Sequence, residues 1–337
     1  MKRPHILIVS PASARENNGN WQTASRWQRN LARRYRVSVG NGWQPQDGTP
    51  DLLIALHARR SAAALAAFRA AFPTRPALLV LTGTDLYRDI RTDASAQAAL
   101  DAASALVVLQ PQGLDELAPR HRAKAHVIYQ SAPRLRRHRS SGGGGRAPLD
   151  IAMVGHLRQE KDPQTFMEAA RRIAIPGVRL LHIGAALEPG LGRLAEATQR
   201  ATPAYRWLGA LPHTAARRRL RRCHAMVIAS RMEGGANVII EAVTSGVPVL
   251  ASAISGNAGM LGDDYAGFFP PGDAVALAAL IERSVRDAAF LARLRRQCAA
   301  RAALFAPEME RARLLDLVDN LLSRATAPDP SDERKHT

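Results

Sequence analysis

The sequence is poor in cysteine: Cys223 and Cys298 are the only two in 337 residues. They are isolated, with neither a close-spaced partner nor a matching histidine spacing. A disulfide framework, a thiolate zinc site and a dithiol redox motif are therefore excluded, and two reduced thiols are expected. Lysine is nearly as scarce. Lys2, Lys124, Lys161 and Lys335 are four of 47 basic residues, so arginine carries the formal net charge of +18. An arginine surplus suits anionic partners such as nucleotide phosphates, nucleic acid or an acidic membrane surface, and it suits an ordinary solvated surface equally well. No recognisable nucleic-acid module accompanies it. Long apolar runs are missing too. The stretch Ile6 to Val9, behind Lys2 and Arg3, stops at Ser10 and Pro11, too short for a signal-peptide core, and no later segment approaches about 18 uninterrupted apolar residues. A cytoplasmic protein without integral membrane segments is the expectation.

What is present is ordinary globular material, 46% apolar and 23% charged, long enough for two domains of roughly 150 residues each. Apolar, β-rich runs recur at 5–11, 35–40, 51–57, 77–83, 105–110 and 126–130, separated by Ala/Leu/Arg segments of helical spacing such as 23–34 and 61–72. A second series follows at 149–155, 178–184, 205–209, 225–230, 247–252 and 267–272. Strand runs alternating with crossover helices predict an α/β protein with two doubly wound, Rossmann-like parallel-sheet domains, whose strand ends would bind ligands in a cleft. The expected domains are 1–135 and 149–305, joined by a Gly/Arg-rich linker over 136–148. That stretch holds Ser140, Ser141 and four glycines at 142–145; a phosphate-cradling loop would need a strand before it and a helix after it. A helix over 306–325 follows, whose return to the N-terminal domain is left open, and then a disordered tail over 326–337.

The stretch Ser230 to Ser252, SRMEGGANVIIEAVTSGVPVLAS, reads as strand end, glycine turn, helix and strand. Unpaired amides around Gly234, Gly235, Ala236, Asn237 and Val238 at the helix start would seat a pyrophosphate. Glu241, within the helix, could accept two ribose hydroxyls, and Glu233, in the turn, would stand near a sugar. Alternatively Glu233 merely complements the helix dipole and Glu241 is solvated. The loop after the strand at 149–155 carries His156, Arg158 and Lys161, placed to neutralise charge on a departing diphosphate. In the N-terminal half, Asn17, Asn18, Gly19, Asn20, Trp21 and Thr23 follow the first strand, Gly19 permitting close approach to a phosphate. His57, Thr82, Thr84 and Asp85 sit at two further strand ends. Trp21 and His57 are as readily packing residues as ligand-binding ones.

The segments GHLRQEKD, WLG, SRMEGGANVIIEA, SGVPVLAS and GDDYAGFFPPGD together resemble the retaining glycosyltransferase family of GT-B fold that includes sucrose, trehalose and lipopolysaccharide sugar transferases, over most of 149–273. The resemblance implies that Glu233 and Glu241 are the paired glutamates contacting donor sugar and ribose, that Lys161 binds phosphate, that Gly19 lies in a glycine loop beside the pyrophosphate, and that Leu208 and Gly209 lie near the base. His156 replaces the usual arginine partner of the lysine, so Arg158 is expected to substitute; Thr82 replaces a histidine common in the family. The N-terminal segments NNGNWQTASRWQ and LTGTDLY look most like those of the selenosugar synthases of selenoneine biosynthesis. The implied reaction joins the sugar of UDP-N-acetylglucosamine to selenophosphate, with Arg15 or Arg26 helping to hold the acceptor; transfer to a lipid or sugar-phosphate acceptor is the alternative. The sequence has no Asp-any-Asp triplet, the metal anchor of the other major glycosyltransferase architecture, so neither a metal nor another cofactor is expected.

Overall fold

The computed structural model of the protein describes residues 3–13, 19–135 and 148–326. Arg15, Asn17 and Asn18, the linker from 136 to 147 and the tail from 327 lie outside the described residues. The chain divides into two units, Met1–Gln130 with Glu308–Thr337, and Ser131–Pro307.

In the first unit β1 (His5–Val9), β2 (Arg36–Gly40), β3 (Leu52–Leu56), β4 (Ala77–Leu81), β5 (Ala105–Val108) and β6 (Ala125–Val127) form one parallel sheet in the order β2-β1-β3-β4-β5-β6. Its central strands are apolar at every position because both faces are covered. Ile6, Ile8, Leu52, Ile54, Leu78 and Val80 pack on one face with Trp27 and Leu31 from the helix Gly19–Leu31 and with Leu314, Leu317 and Val318 from the helix Pro307–Thr326. The alternate residues Leu7, Leu53, Leu79 and Leu81 meet Leu65 and Phe68 of Ala62–Ala71 and Leu100 of Ala94–Ala102 on the other face. The helix Pro307–Thr326 is locked to the first by Glu310, which is fully buried and accepts from Arg26 Nε at 2.7 Å and Trp27 Nε1 at 2.8 Å. Arg26 is thus committed to an internal ion pair, which corrects its expected place among the acceptor-binding arginines.

The second unit repeats the plan with β7 (Leu149–Val154), β8 (Val178–Ile183), β9 (Tyr205–Trp207), β10 (Ala225–Ile228), β11 (Val249–Ser252) and β12 (Phe268–Phe269), all parallel, in the order β12-β11-β10-β7-β8-β9. Counted from its own first strand this is 3-2-1-4-5-6, the order of dinucleotide-binding sheets. The chain leaves β7 toward β8 and leaves β10 toward β11, in opposite directions, so the loops at the carboxyl ends of β7 and β10 part there and open a crevice. All twelve apolar runs are strands. Among the described residues no helix is long and apolar enough to cross a membrane.

Candidate active site

The two segments singled out in the C-terminal half, after β7 and after β10, are the two loops at this switch point. Lys161 Nζ donates to Glu233 Oε1, and the pair is mostly buried, with side-chain exposures of 19% and 9%. Glu233 Oε1 also accepts from Ser230 Oγ at 2.6 Å. Behind it runs a buried relay: Ser252 Oγ donates to the Ser230 carbonyl at 2.6 Å, and Asn257 Nδ2 donates to Ser252 Oγ at 3.0 Å. The carboxylate is therefore held by Ser230, just after β10, and Ser230 in turn by Ser252 at the end of β11 and, through it, by Asn257 of the helix Ser255–Leu261. Oε2 of Glu233 has no protein partner among the described residues.

Two glycines bring backbone against backbone here. A Cβ on Gly256 would lie 1.8 Å from the Glu233 carbonyl oxygen, and one on Gly184 would lie 2.0 Å from the Gly155 carbonyl oxygen. The loop bearing Lys161 is held by Asp162, whose backbone is left-handed at φ 46°. Its carboxylate caps the helix Pro163–Arg172 through the Thr165 amide and meets Arg231 Nη2 at 2.9 Å. The Arg231 amide in turn donates to the Glu160 carbonyl at 2.9 Å. These contacts tie the Lys161 loop to the Glu233 turn.

After the turn the helix Asn237–Thr244 begins with Ala236 as its N-cap and no side-chain cap. Gly234 and Ala236 are buried, while Gly235, Asn237 and Val238 are partly exposed. Amides at such an uncapped start attract an anion. Glu241, one turn on, is 8% exposed, which rules out a solvated helix residue. Its Oε1 lies 2.5 Å from Nε2 of His213. Leu208 is exposed and Gly209 takes φ 66°, while the Gly209 carbonyl accepts from the Gly184 amide at 2.8 Å. His156 is half-buried, and its Nδ1 accepts from the Ala185 amide at 3.1 Å. Burial, then the charges of Arg158 and Lys161, pull its pKa below the usual histidine range, so its ring is neutral near pH 7. Among the described residues the one carboxylate near Arg158 is that of Glu160, at 4.0 Å.

In the first unit His57 ends β3 in a left-handed conformation, φ 73°, rare outside glycine. Its Nδ1 accepts from the Arg60 amide at 3.4 Å and its Nε2 meets Thr84 Oγ1 at 3.1 Å. Burial lowers its pKa first, opposed by Asp85 and Asp89. Asp85 is fully buried and accepts from the amides of Ala58, Thr82 and Gly83 at 2.8 to 2.9 Å. It clamps the ends of β3 and β4 together, so its carboxylate is filled by backbone, which corrects its expected contact with an acceptor. Thr23 is corrected likewise: it is 1% exposed, donating to the Gly19 carbonyl and accepting from Gln130. Gly19, Asn20 and Trp21 form the first turn of the helix Gly19–Leu31 and not a loop, and the Thr23 hydroxyl bond to the Gly19 carbonyl secures that turn.

Residues 138–304 match the family described as Glycosyl transferases group 1. It is this segment, just under half of the chain, that is similar to the group 1 glycosyltransferases. Solved structures of the same fold include HepE of Anabaena, in a complex with UDP, at 17% identity over 95% of this chain and 100% of that one, TM-score 0.73. Sucrose-phosphate synthase of Thermosynechococcus elongatus matches at 18% identity, covering 96% and 100%, TM-score 0.75. The pneumococcal O-GlcNAc transferase GtfA, solved with UDP and GlcNAc, matches at 17% identity over 80% of this chain and 57% of its own, TM-score 0.64. At these identities the likeness is one of fold, GT-B.

For this glycosyltransferase, the sequence names Lys161, Glu233 and Glu241 as candidates but not the residues that hold them in the second unit: Ser230, Ser252, Asn257, Gly256, Gly184 and His213. Ser230 and Ser252 are the two ends of the segment SRMEGGANVIIEAVTSGVPVLAS. Their mutual contact depends on β10 lying beside β11.

Proposed function

We propose that the chain transfers the sugar of UDP-N-acetylglucosamine to selenophosphate, using the second unit as the donor site. The observation that carries the donor half is the Lys161–Glu233 pair beside the uncapped start of the helix that bears Glu241. A diphosphate at that helix start would draw the Lys161 ammonium from Glu233 and free the carboxylate to accept from sugar hydroxyls. Glu241 would take the ribose, and Leu208 and Gly209 would border the base. As the bond to the leaving group breaks, charge builds on the β-phosphate, and Lys161, Arg158 and the amides of Ala236 and Asn237 oppose it without a metal. That HepE was solved with UDP-glucose and GtfA with UDP and GlcNAc supports a uridine diphosphate sugar.

On the acceptor side selenium attacks the anomeric carbon, the Se–C bond forms as the C–O bond to UDP breaks, and the electron pair leaves on the diphosphate. Selenium is nucleophilic without a general base, which suits a strand end carrying Thr82 where relatives carry histidine. Of the N-terminal residues, Asn18, Asn20, Trp21, His57, Thr82 and Thr84 remain the candidates for holding the acceptor. The test is to incubate the protein with a panel of UDP-sugars, with and without selenophosphate, and to follow UDP release and products by mass spectrometry. A selenium-linked N-acetylhexosamine is expected. Efficient glycosylation of a lipid or sugar phosphate with selenophosphate ignored would overturn the acceptor; no UDP release from any UDP-sugar would overturn the donor.

A further inference from the structure

We infer that His213 is a positioning residue for the donor ribose: it holds one oxygen of Glu241 so that the other is presented to the ribose hydroxyls. The inference rests on the donor reading above and adds to it a residue from a different helix.

Glu241 lies in the helix Asn237–Thr244 and His213 opens the helix His213–Leu220, 28 positions earlier. Nε2 of His213 is 2.5 Å from Glu241 Oε1, within hydrogen-bond reach, and no lysine or arginine pairs with this carboxylate among the described residues. A carboxylate's two oxygens exchange places by rotation about its last bond, so fixing Oε1 also fixes where Oε2 points. Oε2 has no protein partner among the described residues. The two side chains also differ in setting. Glu241 is 10% exposed at its side chain, whereas His213 is 41% exposed, so the imidazole acts as a bracket from the solvent side and contributes little to packing. An alanine there removes the bracket and leaves the core of the unit intact.

The experiment is titration calorimetry of the full chain with UDP and with 2′,3′-dideoxy-UDP, on the wild type, His213→Ala and His213→Gln. A carboxylate aimed at ribose hydroxyls gives the wild type a preference for UDP of roughly ten- to a hundredfold. His213→Ala is expected to bring the two Kd values within about threefold of each other, because the loss falls on UDP and spares the dideoxy compound. His213→Gln, which keeps an N–H donor, is expected to restore a clear part of the preference. Should His213→Ala discriminate as sharply as the wild type, or weaken both ligands in parallel with the ratio unchanged, the positioning role is overturned while the donor reading stands. A wild type that binds both compounds equally overturns the ribose role of Glu241 and this inference with it.

Discussion

Gly256→Ala should disable the glycosyltransferase while leaving it folded. The added Cβ would stand 1.8 Å from the Glu233 carbonyl oxygen, 2.8 Å from its carbon and 3.1 Å from its Cβ, whereas real Cβ contacts essentially never fall under 3.0 Å. Either the Glu233 turn or the helix Ser255–Leu261 must therefore move by more than an ångström, and both are backbone. Overpacking of this kind costs about 1 to 3 kcal/mol of stability, within what a domain of this size tolerates. Catalysis is less forgiving, since a misplacement of about 1 Å in a reacting constellation costs on the order of 100-fold in rate. Gly190→Ala is the matched control, because a Cβ there meets nothing within 4 Å and the change should alter stability by less than about 1 kcal/mol. Steady-state kinetics on UDP-sugar turnover, with thermal melts alongside, read both quantities. A Gly256→Ala protein with kcat/KM within a few-fold of wild type would refute the claim that this contact sets the Glu233 geometry.

Three other predictions follow from different parts of the molecule. Lys161→Ala should lower kcat more than it weakens UDP binding, since the ammonium faces charge that grows toward the transition state; equal losses in calorimetry and turnover would contradict this. His182, fully buried on β8 and 2.9 Å from the Tyr205 hydroxyl, has its pKa pressed down by burial to about 4 from 6.5. Its folded pKa lies below the unfolded one, so stability is full above about pH 6.5 and falls by about 3 kcal/mol as the pH drops to about 4; urea midpoints at pH 7.5 and 5 should show this slope, and His182→Gln should flatten it. Glu310→Ala would strand the Arg26 guanidinium in the core of the first unit and should destabilise that unit by about 3 to 5 kcal/mol, with Glu310→Gln milder, as read by urea unfolding.

The sequence displayed some of this structure and hid the rest for reasons of distance along the chain. Strands buried on both faces are unbroken apolar runs, so ALLVL and LLIAL announce themselves, and the alternation with helices gives a parallel sheet. The strand order is another matter, because nothing local says that β7 sits between β8 and β10. Glu233, Glu241 and Lys161 were legible because they occur at fixed spacings inside contiguous segments. The partners that aim them were not: His213 lies 28 positions from Glu241, and Asn257 acts on Glu233 only through Ser252 and Ser230. Asp85 shows the opposite error. A carboxylate after a strand suggests a ligand, yet here three backbone amides saturate it.

The return of the helix Pro307–Thr326 to the first sheet has a consequence for the order in which the protein is made. One face of that sheet rests on Leu314, Leu317, Val318 and Leu321, and Trp27 and Arg26 wait for Glu310. Residues through Gln130 leave the ribosome well before these, and at about 5 to 20 residues per second the interval is on the order of 10 to 40 s. Throughout it Ile6, Ile8, Leu52 and Ile54 have an incomplete cover, while the whole of Ser131–Pro307 is being synthesised. The second unit is therefore complete in sequence first, and the nascent N-terminal sheet is the species for which a chaperone that shields apolar strands would matter most.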